Sequence, residues 1–432
     1  MKYFILAFVS LFLQISLFAQ PKCSEAFLLN IQRGKLDSSY FYLSAEVKQV
    51  LQAKQFNRIW KKTQSKFGKM TGFEFFNEER KDNLKIYKYN LFYKKDTIGI
   101  SLTVFEEKEI KGFFLSPKNE RVEYLLPNYC LQSRFQEIKD SILLNEIYVP
   151  IILTIPNAPF STLCIFIPGS GAQDIDATVG PNKIFRDISV GMSSNSIATL
   201  RFAKTNVTNN KDKNLITIED EYLIITAKIL EYIATNTLLK EKHIYIVGHS
   251  LGGRIAPNIA GQNKQTKGII LLAANSRPLD SLLIDQLKYI SMIHENSTQD
   301  QIDIVVVEKK MKYLRDSLTT ESNRDQLPFN IPASYWISLN HINPIKMIDS
   351  LNLPTLILQG ERDYQVTMVD FKLFQQLLRN NKNVSFHSYP ALNHLFLEGT
   401  EKSMPSEYLK FSNVPHYLIL DITNWINSTE KK

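Results

Sequence analysis

The chain has 432 residues, of which 44% are hydrophobic and 11% aromatic, enough apolar side chains for the cores of two domains. Its formal net charge is +8, but lysines and glutamates are interleaved along the chain, as between Glu106 and Glu109. Because no basic arm or arginine-rich helix concentrates this charge, the composition argues against nucleic acid as a partner.

The first predicted element is a secretory signal peptide. Lys2 precedes a largely apolar stretch from Tyr3 to Phe18, and the small residue Ala19 closes it. This pattern predicts cleavage after Ala19, a mature chain that begins near Gln20, and a secreted or periplasmic protein. A retained membrane anchor is the alternative. The rest of the chain has no uninterrupted apolar run of about 20 residues, so we expect no membrane contact after cleavage.

Residues 20–130 are predicted to form a small α+β domain. Apolar residues recur at intervals of three and four between Ser38 and Lys69, which indicates helix. The alternation of apolar and polar residues from Ile98 to Val104 then indicates a strand, with further strands at 84–93 and 112–115. This domain carries no group of residues typical of catalysis. We expect it to form a concave module that shapes substrate access or mediates association.

From residue 131 to 432, apolar strands alternate with helices. This alternation predicts a mainly parallel sheet covered by helices on both faces. One long helix is expected from Ile218 to Ala234. Between about 276 and 349 the alternation stops and amphipathic helices follow one another, which we interpret as a helical cap inserted between two strands of the sheet. Helices that simply pack on the body are the alternative. The candidate pocket residues of this segment are Tyr335, Trp336 and Ile337.

The pentapeptide Gly248-His249-Ser250-Leu251-Gly252 contains the candidate nucleophile. A buried-strand pattern precedes it at 243–247, and a helical pattern follows from 253 to about 263. In this setting G-x-S-x-G predicts a nucleophile elbow, because the flanking glycines allow a turn sharp enough to present the serine hydroxyl. Ser250 is therefore the candidate nucleophile.

Two further residues follow in the order that such an elbow requires, Ser, Asp and then His. Asp363 comes just after the apolar run 353–360, and His394 lies in a loop after the predicted strand 383–390. A serine hydroxyl becomes a good nucleophile when an imidazole takes its proton and a buried carboxylate fixes the imidazole tautomer. His394 is thus the candidate base and Asp363 its orienting carboxylate. His387 is the rival base, although within its strand it is expected to point along the sheet face.

Acyl transfer also needs hydrogen-bond donors for the developing oxyanion. In an elbow fold, one backbone N–H comes from the residue after the nucleophile, here Leu251. The other comes from the loop after an earlier strand, and the strand 162–167 runs into Pro168-Gly169-Ser170-Gly171. Ser170 is the candidate second donor, with an ordinary tight loop as the alternative.

Several motifs of this chain resemble the secreted bacterial α/β-hydrolases grouped with serine aminopeptidases and dienelactone-hydrolase-like esterases. The resemblance covers roughly residues 140–432 and implies an α/β-hydrolase fold with the triad named above. This chain has Ala172, Ala203 and Thr205 where such relatives often have proline, aspartate and arginine. The matching segments are Pro168–Asp174, Thr199–Lys204, Gly248–Gly253, Gly360–Asp363 and Asn393-His394.

The N-terminal layout of helix followed by sheet is similar to the cone-shaped domain of nuclear transport factor two, which precedes the hydrolase in some secreted relatives. The phrase from Lys111 to Pro117 adds to this resemblance.

These features predict a secreted serine hydrolase that cleaves carboxylic esters through an acyl-enzyme and requires no cofactor. Its substrate would be a small-molecule ester or a short peptide. A serine aminopeptidase is the first alternative, in which Asp174, Glu295 or Asp300 would neutralise the substrate ammonium. A binding protein on an inactive hydrolase scaffold is the second alternative. The sequence leaves the oligomeric state open.

The three cysteines are too few for a disulfide scaffold. Cys164 lies in a predicted core strand and is expected to be an inert thiol. Cys23 and Cys130 could pair in an oxidising compartment, and this alternative stays open. We expect no metal, because no Cys/His cluster has ligand spacing and Asp174-Ile175-Asp176 alone does not define a cation site.

Overall fold

The computed structural model describes residues 22–81, 84–119, 124–171, 173–204, 215–293 and 298–431. The predicted signal peptide, residues 1–19, lies outside these ranges. The chain divides into two compact units, Met1–Arg121 and Val122–Lys432. The sequence placed this division after Cys130. The segment before Cys130 is attached to the second unit, because Tyr124 hydrogen-bonds to Asp187 and Tyr129 to the carbonyl of Val414.

The first unit packs helices against a four-stranded antiparallel sheet in the order β1-β2-β3-β4. This arrangement confirms the prediction of a small α+β domain before the larger one, and its sheet is antiparallel. Its core is rich in aromatic residues, with Phe27, Phe56 and Trp60 fully buried. The helices are α1 (Cys23–Gln32), α2 (Leu36–Tyr40), α3 (Ala45–Val50) and α4 (Ala53–Phe67), and the strands are β1 (Met70–Lys81), β2 (Leu84–Tyr93), β3 (Thr97–Phe105) and β4 (Glu109–Pro117).

The helical pattern predicted between Ser38 and Lys69 is divided among separate helices. Ser44 accepts a hydrogen bond from the Val47 amide and so begins α3, and a reciprocal capping box between Gln52 and Gln55 begins α4. The chain turns at each of these caps, so several short helices can pack on the same sheet.

The second unit has an eight-stranded sheet in the order β14-β13-β12-β11-β7-β10-β6-β5. The pairs from β14 to β10 are parallel, whereas β6 pairs antiparallel with both β10 and β5. The sheet strands are β5 (Phe135–Leu144), β6 (Ile147–Pro156), β7 (Thr162–Ile167), β10 (Ala198–Phe202), β11 (His243–His249), β12 (Thr266–Leu272), β13 (Thr355–Gly360) and β14 (Val384–Tyr389); β8 (Thr178–Val179) and β9 (Asn182–Lys183) form a small hairpin.

Helices cover both faces of this sheet. Alternate residues of β7 show the two faces, since Leu163 and Ile165 belong to one hydrophobic core and Cys164 and Phe166 to another. A strand buried on both faces has a continuous apolar sequence, as β7 does. The fold is therefore the predicted α/β-hydrolase fold. Its helices are α5 (Ile184–Ser194), α6 (Ile224–Thr235), α7 (Leu251–Ala260), α8 (Leu279–Ile293), α9 (Thr298–Ser317), α10 (Ala333–Asn340), α11 (Pro344–Leu351), α12 (Met368–Leu377) and α13 (His416–Glu430).

Two details concern the segments next to the candidate site. Helices α8 to α11 lie between β12 and β13, which is the position predicted for the insertion. The helix expected from Ile218 begins instead with a π-helical turn, Glu219–Leu223, before α6. Such turns are rare and occur often at functional sites.

Within the described ranges, no helix is both long enough and apolar enough to cross a membrane.

Candidate active site

Ser250 lies in a sharp turn between β11 and α7. Its φ of 55° and ψ of −123° are unusual for a residue with a side chain. The flanking glycines are needed for close packing: a methyl group on Gly248 would come within 2.4 Å of the Gly252 carbonyl oxygen, and one on Gly252 within 2.3 Å of the Pro168 oxygen. The turn therefore has the geometry of a nucleophile elbow.

Asp363 and His394 are hydrogen-bonded to each other. The Nδ1–H of His394 donates to Oδ2 of Asp363 over 2.7 Å, and both side chains are almost completely buried. The other Asp363 oxygen accepts the amides of Gln365 and Val366. Because a carboxylate only accepts hydrogen bonds, this contact fixes the proton of His394 on Nδ1 and leaves Nε2 free to accept.

His249, the residue before the candidate nucleophile, links the elbow to the histidine loop. Its ring centroid is 4.7 Å from that of His394, and its Nε2 donates to the His394 carbonyl over 2.9 Å. Burial, and to a smaller extent the neighbouring His394, lowers the pKa of His249 to about 3. His249 is therefore a neutral donor that holds the backbone of the histidine loop.

A second set of contacts, centred on Asn393, holds the same loop. The Asn393 side chain accepts the amides of Leu395 and Leu397 and donates to Glu407. Glu407 is in turn paired with the buried Arg362, which also donates to loop carbonyls. Arg362 and Glu407 thus hold the loop that carries His394, and the sequence reasoning missed this support.

The loop after β7 lies against the elbow. A methyl group placed on Gly169 would be 3.2 Å from Cβ of Ser250 and 3.5 Å from the His249 carbonyl oxygen. Ser170 follows in this loop, and Leu251 is the first residue of α7, where a backbone N–H has no partner within its helix. The loop that contains Ser170 therefore packs against the elbow through Gly169, and Leu251 directly follows Ser250.

A buried polar network holds this loop, and we call it the Lys204 cluster: Lys204, Glu221, Tyr222 and Tyr335. Lys204 Nζ donates to the Gly169 carbonyl over 2.5 Å, to Glu221 over 2.5 Å and to the Tyr222 hydroxyl over 2.7 Å. Tyr222 donates to the same Gly169 carbonyl over 2.7 Å, and Tyr335 donates to Glu221. Burial lowers the pKa of Lys204, and the charge of Glu221 opposes this shift.

Other predicted candidates lie elsewhere or have other roles. The ring of His387 is half exposed and stacks on Tyr389, with Nε2 3.9 Å from Asp421. Trp336 is fully buried in the core. The exposed Asp174 accepts loop amides through its carboxylate. Glu295 lies outside the described residues, and so does the side chain of Asp300.

The described residues contain no group of His, Cys, Asp and Glu arranged to hold a metal ion. Cys23, Cys130 and Cys164 are free thiols in this structure, so the alternative of a Cys23–Cys130 disulfide is not realised in it. Burial raises the pKa of Cys164 above its ordinary value, in agreement with an inert core thiol.

The candidate residues gather at one edge of the sheet because parallel strands end there. Ser250 follows β11, the Gly169 loop follows β7, Asp363 follows β13 and His394 follows β14. A nucleophile elbow at this edge of a mainly parallel sheet defines the class of α/β-hydrolases.

Comparisons with known proteins agree with this class. Residues 226–401 match the family model described as serine aminopeptidase, S33. Esterase EstD of Thermotoga maritima is 32% identical over 430 residues, which are 97% of this chain and 98% of EstD. The chain therefore belongs to the serine aminopeptidase S33 and esterase-type family of α/β-hydrolases, and it is a serine hydrolase.

Solved structures with a similar fold include two esterases. Est1E from Butyrivibrio proteoclasticus has a TM-score of 0.45 at 15% identity, covering 68% of this chain and 99% of Est1E. An esterase of Pyrococcus furiosus has a TM-score of 0.44 at 13% identity, covering 68% of this chain and 91% of its own.

Proposed function

We propose that this protein hydrolyses small carboxylic esters through an acyl-enzyme formed on Ser250. The observation that carries the proposal is the buried His394–Asp363 pair next to a strained elbow serine. The 32% identity to an esterase over nearly the whole chain supports the same substrate class.

The proposed reaction uses each group once in each half. His394 Nε2 takes the Ser250 hydroxyl proton while Oγ attacks the ester carbonyl, and the oxygen becomes an anion facing the Leu251 and Ser170 amides. The tetrahedral intermediate collapses, the C–O bond to the alcohol breaks, and His394 returns the proton to the departing alkoxide. A water molecule then attacks the acyl-enzyme by the same steps and releases the acid and free Ser250. Asp363 stabilises the imidazolium throughout.

The decisive experiment is Ser250→Ala in the full chain. We expect turnover of a short p-nitrophenyl ester to fall to background, because the variant lacks the hydroxyl that forms the acyl-enzyme. Circular dichroism and the unfolding midpoint should match the wild type. Labelling with a fluorophosphonate probe should mark Ser250 in the wild type and disappear in the variant. Retained turnover in a folded Ser250→Ala protein, or an unlabelled wild type, would instead favour a binding protein on a hydrolase scaffold.

Aminopeptidase activity is the second candidate function, and the description of the matching family model favours it. The substrate ammonium would need an acidic partner near the site. Glu221 is already paired with Lys204, and Asp176 with Lys183 and Arg201, which supports the ester over the amine substrate. A panel of aminoacyl amides and short acyl esters separates the two functions, and faster turnover of the amides would reverse this preference.

We also propose that the protein is exported and that residues 1–19 are removed. The observation is the sequence pattern around Ala19. Mass spectrometry of the protein purified from its native cells should give a mature chain that begins at Gln20. An intact Met1 in that preparation would overturn this proposal.

The N-terminal unit is proposed to be a cone-like module, similar to nuclear transport factor two, that shapes access to the site or mediates association. Its helices packed on an antiparallel sheet support a module of this kind. Size-exclusion chromatography with light scattering tests the association role directly, and a monomer at all concentrations would leave substrate access.

A further inference from the structure

The carbonyl of Gly169 is held by two buried side chains. Lys204 and the Tyr222 hydroxyl both donate to it, and these side chains are 2% and 0% exposed. The backbone at Lys204 also pairs with Gln173, farther along the same loop, through two hydrogen bonds. The loop after β7 is thus attached at two points to the end of β10. One of these points is Gly169, which packs against Ser250.

Within the Lys204 cluster, each N–H of the Lys204 ammonium has a hydrogen-bond acceptor. An ammonium has three N–H donors, and Gly169, Glu221 and Tyr222 take one each. Burying a charge lowers the stability of a protein unless the charge is paired and fully hydrogen-bonded. A neutral residue would therefore fill this space with a smaller desolvation penalty. Perturbed buried charges of this kind are concentrated at functional sites.

The geometry of the peptide group connects this cluster to the reaction. The described chain has no cis peptide bond, so the C=O of Gly169 and the N–H of Ser170 point in opposite directions within one planar unit. Holding the carbonyl towards Lys204 therefore fixes where the Ser170 N–H points. Hydrogen bonds to the carbonyl also polarise the amide and strengthen its N–H as a donor.

We propose that Lys204 and Tyr222 are positioning residues of the oxyanion hole, which hold the Gly169–Ser170 peptide with its N–H directed at the oxyanion formed on Ser250. This inference rests on the proposed ester hydrolysis. Glu221 keeps Lys204 in place, and Tyr335 extends the same network into α10 of the insertion. The π-helical turn explains how the adjacent residues Glu221 and Tyr222 both reach Lys204.

The first test is Tyr222→Phe, which removes only the hydroxyl. Loss of a whole oxyanion donor typically lowers kcat about 100- to 1000-fold, and a loosened donor should lose less, so we expect kcat to fall about 10-fold. KM should stay within about 2-fold, because the oxyanion interaction strengthens only in the transition state. A raised KM with unchanged kcat would contradict the proposal.

The second test is Lys204→Met combined with Glu221→Gln, so that no unpaired charge is left buried. We expect kcat to fall about 100-fold in this variant. A trifluoromethyl ketone, which forms a tetrahedral oxyanion adduct with serine, should bind more weakly in proportion to the loss of kcat in both variants. If these residues had only a structural role, the affinity for the inhibitor would not fall in proportion to kcat. An unchanged inhibition constant in Tyr222→Phe overturns the inference even if the double variant fails to fold.

The matched control is Tyr245→Phe. Tyr245 is also a fully buried tyrosine whose hydroxyl donates a hydrogen bond, but its partner is Glu430 in α13. We expect its kcat and inhibitor affinity to equal those of the wild type. The outcomes separate the two proposals: Ser250→Ala reports on ester hydrolysis itself, and wild-type kcat in Tyr222→Phe, with turnover still dependent on Ser250, rejects only the positioning role.

Discussion

The N-terminal unit and the hydrolase unit differ most in the charges that they bury. Within the described residues, the buried polar side chains of the N-terminal unit are neutral: Ser24, Ser39, Ser44, Thr63 and Asn90. The hydrolase unit buries charged or titratable side chains as well, among them Asp187, Arg201, Lys204, Arg362, Asp363 and His394.

This difference separates a unit held together by packing from a unit that performs chemistry. Aromatic contacts such as Phe27 with Trp60 and Trp60 with Phe113 stabilise the first unit without desolvating a charge. In the second unit, buried ion pairs hold loops at the sheet edge where Ser250 lies. Buried ion pairs are weak contributors to stability, so their concentration here is better explained by positioning.

The largest expected effect comes from Asp363→Asn. The amide cannot fix the His394 proton on Nδ1, so we expect kcat for a p-nitrophenyl ester to fall about 10,000-fold with little loss of fold. Asp370→Asn is the matched control, since Asp370 is an equally buried carboxylate paired with Arg277. It should lower the urea midpoint but leave kcat of the folded protein within a few fold. Equal losses of kcat in both variants would remove the distinction between the two carboxylates.

The next effect tests the N-terminal unit. Trp60→Ala should destabilise that unit by about 3–5 kcal/mol, because it leaves a cavity among the aromatic rings around Trp60. Hydrogen exchange should show faster exchange of the amides of α4 and β3, and unchanged protection of β11. Trp60→Phe keeps most of the packing, so its stability should lie between those of the wild type and Trp60→Ala. Loss of protection in β11 would show that the stability of the two units is coupled.

The smallest effect concerns a buried charge away from the reaction. Burial raises the pKa of Asp187 to about 6, from 3.8 in the unfolded chain. Between these values the folded protein keeps a proton that the unfolded chain has lost, so stability decreases as the pH rises. The contribution of Asp187 to the free energy of unfolding should fall by about 2 kcal/mol from pH 4 to pH 6.

Asp187→Asn should remove this part of the pH dependence. Urea unfolding of both proteins at pH 4, 5 and 6 measures the difference in free energy, which should shift towards the variant as the pH rises. Ester turnover should be unaffected at pH 7, since Asp187 contacts Tyr124, Asn413 and Val414 and not the elbow. A difference that does not change with pH would mean that Asp187 is ionised throughout this range.

Much of the fold was predictable because the hydrophobic pattern of the chain is strong. A strand such as Thr162–Ile167 is buried on both faces, so every residue is apolar or small and its limits are visible in the sequence. The helix expected from Ile218 was only partly right, because its first turn is π-helical to serve contacts with Lys204 that no local pattern encodes.

The sequence by itself determined the class of protein and the candidate triad. Ser250, Asp363 and His394 each follow a recognisable strand, and parallel strands end at one edge, so their chain order predicts their proximity. Only the tertiary structure decided which side chains hold them. Three contacts join residues that lie far apart in the chain. They are the hydrogen bond from Lys204 to the Gly169 carbonyl, the one from His249 to the His394 carbonyl, and the Arg362–Glu407 ion pair. Such contacts depend on how loops pack at the sheet edge, and hydrophobic periodicity carries no information about that packing.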